Sequence, residues 1–155
     1  MRPAYFSLGS NLGDRGAHLA LGVEVTSAGE PHRLSRVYET EPVGGVAQDD
    51  FWNLVLEVTT SATPEDLLAR AREAETRAKR VRRQRWGPRT LDVDVLLVGD
   101  ERRASDELTI PHPRLYERAF VLAPLRELAP NLVTDEQLAR GAGRVVALGT
   151  LESLR

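Results

Sequence analysis

The period of the apolar positions changes repeatedly along the chain, and each change marks a predicted element. Ala4 to Leu8 is a short apolar run with aromatics, stopped by Gly9-Ser10-Asn11, which predicts a strand and a turn. Asp14 can cap a helix through Leu19, Leu21, Val23 and Val25, with Gly29 as its stop. Leu34 to Glu39 reads as a second strand, followed by a loop, Glu41 to Val46, with two adjacent glycines. Phe51 to Thr60 alternates most cleanly: Trp52, Leu54, Leu56 and Val58 share one face, and Phe51, Asn53, Val55 and Glu57 the other. Thr63-Pro64-Glu65 supplies an N-cap, a first-turn proline and an early acid for a helix through Leu67, Leu68, Ala71, Ala74 and Glu75. Leu91 to Val98 is a further strand, with Leu91, Val93 and Val95 on one face and Asp92 and Asp94 on the other. Arg118 to Leu128 reads as a helix ended by Ala129-Pro130, Gln137 to Arg140 as a short helix, and Val145 to Leu148 as a last strand.

Through Val98 the order is β-α-β-β-α-β, which predicts an α+β class with a ferredoxin-like core: an antiparallel sheet with helices packed on one face. No solenoid-length repeat and no low-complexity linker divides the 155 residues, so a single domain, 1–155, is expected.

Composition narrows the classes. Apolar residues make up 41% and charged residues 28%, ordinary for a globular protein. A formal net charge of −2 argues against binding nucleic acid through overall charge. The absence of cysteine excludes disulfides and thiolate metal sites. No apolar run approaches membrane-spanning length and no signal-peptide pattern is present, so a cytoplasmic protein without membrane partners is expected, as a monomer.

Asp92 and Asp94, at i and i+2 on a strand, present two carboxylates on one face. Magnesium takes one or two carboxylates together with substrate phosphates, so the pair suits metal binding; it equally suits the solvent face of an edge strand. A basic run, Arg77, Lys79, Arg80, Arg82, Arg83, Arg85 and Arg89, leads directly into the pair. Cations for phosphate oxygens beside acids for Mg²⁺ are the parts phosphoryl transfer needs, which puts phosphate chemistry ahead of a merely solvated surface. His112, between Pro111 and Pro113, could donate to a phosphate or simply bond nearby backbone. Phe51, Asn53 and Phe120 could together take a flat heterocycle, the rings by stacking and the amide by hydrogen bonds. Phosphate-loop, dinucleotide-binding and nucleophile-elbow patterns are all absent, so a phosphate site here must be built from side chains.

The string Arg85-Trp86-Gly87-Pro88-Arg89-Thr90-Leu91-Asp92-Val93-Asp94 resembles the signature of the 6-hydroxymethyl-7,8-dihydropterin pyrophosphokinase family of folate biosynthesis. Tyr5 to Gly13, Tyr38 to Gly44, Gln48 with Phe51-Trp52-Asn53, Ile110 to Arg114, and Glu117 to Leu125 resemble other segments of that family in the same order. The resemblance runs from Ala4 to Pro130. It implies transfer of pyrophosphate from ATP to the pterin's hydroxymethyl oxygen, with AMP released. It further implies that Asp92 and Asp94 bind two Mg²⁺ ions and that Phe51 and Phe120 stack on the pterin. Asn53, with Thr40, Pro42 and Val43 nearby, would read the pterin's edge, and Trp86 would close over the site. Leu68, Glu75, Arg80, Arg82, Arg89, Ile110, His112 and Arg118 would serve ATP, with Arg80 and Arg89 stabilising charge during transfer. The stretch from Arg77 to Pro88 would order when ATP arrives.

Two other readings use the same residues. A kinase moving only the γ-phosphoryl group would release ADP. An RNA-binding module on this scaffold would use the basic run, but the strands lack the aromatic pattern that stacks bases, and two carboxylates would repel phosphate without a metal.

Overall fold

The computed structural model describes residues 1–42, 48–78 and 90–155. Its elements are β1 (Arg2–Ser10), α1 (Arg15–Ser27), β2 (His32–Leu34), β3 (Val37–Thr40), β4 (Phe51–Thr60), α2 (Pro64–Arg77), β5 (Asp92–Val98), β6 (Arg103–Ala104), β7 (Thr109–Ile110), α3 (Ala119–Leu128), α4 (Asp135–Arg140) and β8 (Val145–Gly149). The main sheet runs β5-β1-β4-β3-β8, with β2 also on β4, and every pairing is antiparallel. β1 therefore lies between β4 and β5, the order a βαββαβ unit produces. Capping signals in the sequence act as expected: Asp14 accepts the N–H of Ala17 at 3.0 Å, and Thr63 that of Asp66 at 3.1 Å. No helix among the described residues is long and apolar enough to cross a membrane.

Several details depart from the sequence-based expectation. The single strand expected from Leu34 to Glu39 is two strands on β4, with the register moved by one residue between them. Ser35 makes the break: its N–H donates to the Val55 carbonyl at 3.0 Å, and its hydroxyl accepts the Val55 N–H at 2.9 Å. This is the geometry of a bulge, and it lets Leu34 and Val37 both face the same core despite their odd spacing. Helix α1 turns left-handed at Ala28, one residue before Gly29. The small β6–β7 hairpin was too short to leave a period in the sequence.

Helices also cover both faces of the sheet, rather than one. Strand alternation sorts the side chains into two cores. Phe6, Leu8, Leu54 and Leu56 pack with Leu19 and Val23 of α1, Leu67 and Ala71 of α2, and Leu91, Val93 and Val95. Gly22 allows α1 this approach, since a Cβ there would lie 2.6 Å from the Leu8 side chain. On the opposite face Tyr5, Val55 and Leu96 pack with Val121, Leu122 and Leu125 of α3. Each large apolar side chain fully buried in this way contributes about 1.5–3 kcal/mol.

Two polar triads fix the C-terminal end of α3. Arg36 donates to Glu127 from its backbone at 2.9 Å and its Nε at 3.0 Å, and the Tyr38 hydroxyl donates to the same carboxylate at 2.8 Å. Arg33 grips Glu57 with two bonds of 2.9 Å, Tyr5 donates to Glu57 at 2.6 Å, and Arg33 also reaches the Leu128 carbonyl at 3.0 Å. The other end of α3 is backed by the tail: Ala119 donates to the Ala142 carbonyl, and Ala142 to that of Glu117, both at 3.0 Å. The helix is thus held at each end over β4 and β3.

Candidate functional site

The register of the sheet assembles the site. Asp92 lies opposite Gly9, Gly9 opposite Asn53, and Asn53 opposite Tyr38, forming one row across four strands. The next row holds Asp94, Ser7 and Val55. Directly paired residues share a face, so the diacid and the amide lie on the side away from α1 and α2. The α3 core covers Val55, while Asp92 and Asp94 keep intermediate exposure on β5, an edge strand of the main sheet.

Asn53 is buried and fixed. Its Nδ2 donates to Thr40 Oγ1, also buried, at 2.6 Å. Its Oδ1 sits over Gly9, where a Cβ would be 2.4 Å away; the same Cβ would be 3.5 Å from the Phe51 ring. Gly9 therefore leaves the space that Asn53 and Phe51 occupy. The approach to Phe51 is held from the β1–α1 turn. Asn11 donates to the Gln48 side chain and the Asp49 carbonyl, both at 2.8 Å. Arg15 donates to the Asp50 carbonyl at 2.9 Å and lies 4.4 Å from the Trp52 ring centroid.

On the diacid side, Glu75 of α2 accepts the backbone N–H of Val93, the residue between the two aspartates, at 2.9 Å. His112 is tied to the same strand, donating its N–H to the Leu96 carbonyl at 3.0 Å. Its Nδ1 accepts the Arg114 N–H at 3.1 Å, so the neutral ring carries its proton on Nε2, 3.9 Å from Asp94 Oδ1. Burial pulls the His112 pKa down; Asp94 opposes that shift, and Arg118 and Arg114 add to it. Arg118, just ahead of α3, is likewise lowered by burial against the pull of Asp94, and its guanidinium lies 5.3 Å from the Phe120 ring centroid. A flat aromatic, a half-buried cation and a neutral imidazole donor thus stand beside two carboxylates.

The remaining expected positions are placed as follows. Phe120 and Leu68 are half-buried against the α3 core and the α1/α2 core respectively. Ile110 is buried in the α1/α2 core, which leaves its backbone as what it can offer a ligand. Pro42 is half-buried. Val43, Arg80, Arg82, Trp86 and Arg89 lie outside the described residues. Sequence reasoning passed over Gly9, Asn11, Arg15 and Arg114 as site-building residues. Only the Gly-Ser-Asn turn hinted at the first two, because their role depends on which strand β1 pairs with.

The donor set fits a magnesium ion bound together with a nucleotide. Among the described residues no group of three or more His, Cys, Asp or Glu side chains forms a metal cage. Two same-face carboxylates beside Arg118 and His112 leave the rest of an octahedral shell to phosphate oxygens and water, which is how Mg²⁺ is commonly held.

The family model for 7,8-dihydro-6-hydroxymethylpterin-pyrophosphokinase (HPPK) matches residues 5–130. Three similar proteins carry the name 2-amino-4-hydroxy-6-hydroxymethyldihydropteridine pyrophosphokinase. The one from Bacillus subtilis (strain 168) is 44% identical over 132 residues, covering 83% of this chain and 79% of the relative. The one from Methylorubrum extorquens is 42% identical over 145 residues, covering 92% of each. The one from Aquifex aeolicus is 38% identical over 134 residues, covering 86% of this chain and 84% of the relative. The chain belongs to the HPPK family.

Proposed function

We infer that this HPPK family member transfers a pyrophosphoryl group from ATP to the hydroxymethyl oxygen of 6-hydroxymethyl-7,8-dihydropterin. The observation that carries the reading is the Asp92–Gly9–Asn53 row, in which the diacid and a buried amide share one sheet face. The pterin ring stacks on Phe51 and Phe120. Asn53, oriented by Thr40, reads the ring's edge, with Pro42 and Val43 alongside. ATP is served by Arg118, His112, Glu75, Leu68 and the backbone at Ile110, and the family resemblance adds Arg80, Arg82 and Arg89. Trp86 closes the site on the same grounds.

Asp92 and Asp94 would hold two Mg²⁺ ions, which would supply positive charge against that of the phosphates being transferred. The pterin oxygen attacks the β-phosphorus, the bond between the β-phosphorus and the oxygen bridging to the α-phosphate breaks, and AMP leaves with that oxygen. The hydroxyl proton passes to solvent water as the new bond forms. His112, with Nδ1 engaged by Arg114, is arranged as a donor to phosphate. Arg118, together with Arg80 and Arg89, opposes the negative charge that spreads over the phosphate oxygens.

Product analysis tests the reading. Purified protein mixed with ATP, Mg²⁺ and the pterin alcohol should form AMP in step with a pterin diphosphate, and chelation by EDTA should stop both. ADP as the nucleotide product would assign a γ-phosphoryl kinase instead. No product from folded protein that binds both ligands would remove the catalytic assignment.

A further inference from the structure

Phe51 opens β4, and the two neighbouring strands do not hold it equally. On the β3 side the ladder reaches it, pairing Thr40 with Phe51. On the β1 side the ladder stops one residue short of it, at Ser10 and Trp52. Arg15, the first residue of α1, takes over there. Its Nη1 donates to the Asp50 carbonyl at 2.9 Å, and its guanidinium lies 4.4 Å from the Trp52 ring centroid. One side chain thus holds the residue before Phe51 by its backbone and the residue after it by its ring. The Trp52 ring packs against the α1/α2 core, whereas Phe51 shares the Asn53 face by alternation, so Arg15 meets Trp52 on the sheet face away from the ring it brackets. Helix formation gives no reason for a cation at this position, because the positive end of the helix dipole disfavours it.

We propose that Arg15 is a positioning residue for the pterin substrate: by fixing the chain on both sides of Phe51, it sets the angle of the ring on which the pterin stacks. The inference rests on the pyrophosphokinase reading, since it needs the pterin on Phe51. Arg15 acts through that ring and touches neither substrate. Stacking depends on the offset and tilt of the two rings, so a Phe51 ring free to rock holds the pterin less well. Removing the tie leaves the pairings of Thr40 with Phe51 and of Gly9 with Asn53 in place. The loss therefore falls on the pterin and not on the nucleotide.

The test compares wild type, Arg15→Met, Arg15→Lys, Phe51→Leu and a double variant carrying Arg15→Met and Phe51→Leu, all as full-length proteins. Methionine keeps an apolar stem for Trp52 but cannot donate; lysine keeps a cation and a donor. Calorimetry measures affinity for α,β-methylene-ATP with Mg²⁺, an analogue that cannot break between its α- and β-phosphates, and then for the pterin alcohol with that analogue saturating. Arg15→Met should bind the pterin about threefold to tenfold more weakly, the worth of one hydrogen bond. Its KM for the pterin should rise by a similar factor, while KM for ATP and affinity for the analogue stay at wild-type values. Arg15→Lys should recover most of the loss. In the Phe51→Leu background Arg15→Met should cost no further affinity, because a residue that acts through the ring has nothing left to act on. Wild-type pterin affinity in Arg15→Met overturns the inference, whatever its unfolding temperature. So do equal losses for the pterin and the analogue, which would mean general loosening, and a full further loss in the Phe51→Leu background. If Arg15→Met does not fold, Arg15→Gln, whose amide ends two bonds short of the arginine donor, is held to the same outcomes. Failure of the wild-type protein to bind the pterin would instead sink the pyrophosphokinase reading itself.

Discussion

Gly9 and Asn53 face each other across β1 and β4, and a Cβ on residue 9 would stand 2.4 Å from Asn53 Oδ1. The amide cannot retreat easily, because its other end is bonded to Thr40 at 2.6 Å in a buried setting. Gly9→Ala should therefore displace Asn53 and crowd Phe51. Overpacking of this kind costs about 1–3 kcal/mol, so pterin affinity should fall roughly tenfold or more. Titration with the pterin alcohol checks it; unchanged affinity would mean that Asn53 does not contact the ring.

Asp94→Ala should abolish turnover while the protein still folds, since the side chain is 46% exposed and belongs to neither apolar core. A metal that stabilises transition-state charge supplies several kcal/mol, so the rate should drop by about three orders of magnitude or more. Steady-state AMP formation and circular dichroism, measured together, decide this. Substantial activity in a folded variant would return the diacid to the solvent face of an edge strand.

Phe120→Ala should weaken pterin binding by about 1–3 kcal/mol through lost stacking. The unfolding temperature should also fall, because the ring packs against the α3 core. Pterin affinity separates the two contributions: loss of stability alone would make Phe120 a core residue.

Acid should weaken the clamp on α3 in a defined way. The Arg33 hydrogen bonds, supported by Tyr5 and opposed by burial, hold the Glu57 carboxyl below the usual carboxylate range. Its folded pKa thus lies below the unfolded one, so its contribution is complete above the unfolded value and is lost as pH falls through the folded value. Glu57→Gln should be less stable than wild type at neutral pH, with the gap closing as pH falls from about 4.3, the unfolded value, through the lower folded one. Unfolding temperatures across that range give the answer, and two parallel curves would show that Glu57 is not the group that responds.

Local pattern was enough to read most elements and the shared face of the two aspartates. Period-two alternation identified β4 and β5, caps at Asp14 and Thr63 located two helix starts, and the spacing of Asp92 and Asp94 put both carboxylates on one face. These are decided within a few residues, by side-chain direction and by backbone groups at helix ends. Tertiary structure alone decided the bulge at Ser35, since Leu34 to Glu39 looks continuous until its register against β4 is known. It also put α3 on the sheet face opposite α1 and α2, because an apolar stripe on a helix says only that something must cover it. The partnership of Gly9 with Asn53 belongs to the same class, as they meet 44 positions apart in the chain only through strand pairing. The sequence by itself determined which chemical groups are present and which way each points along its own element. Which of them meet was set by long-range pairing and packing, whose energy depends on residues that are neighbours only after the chain has folded.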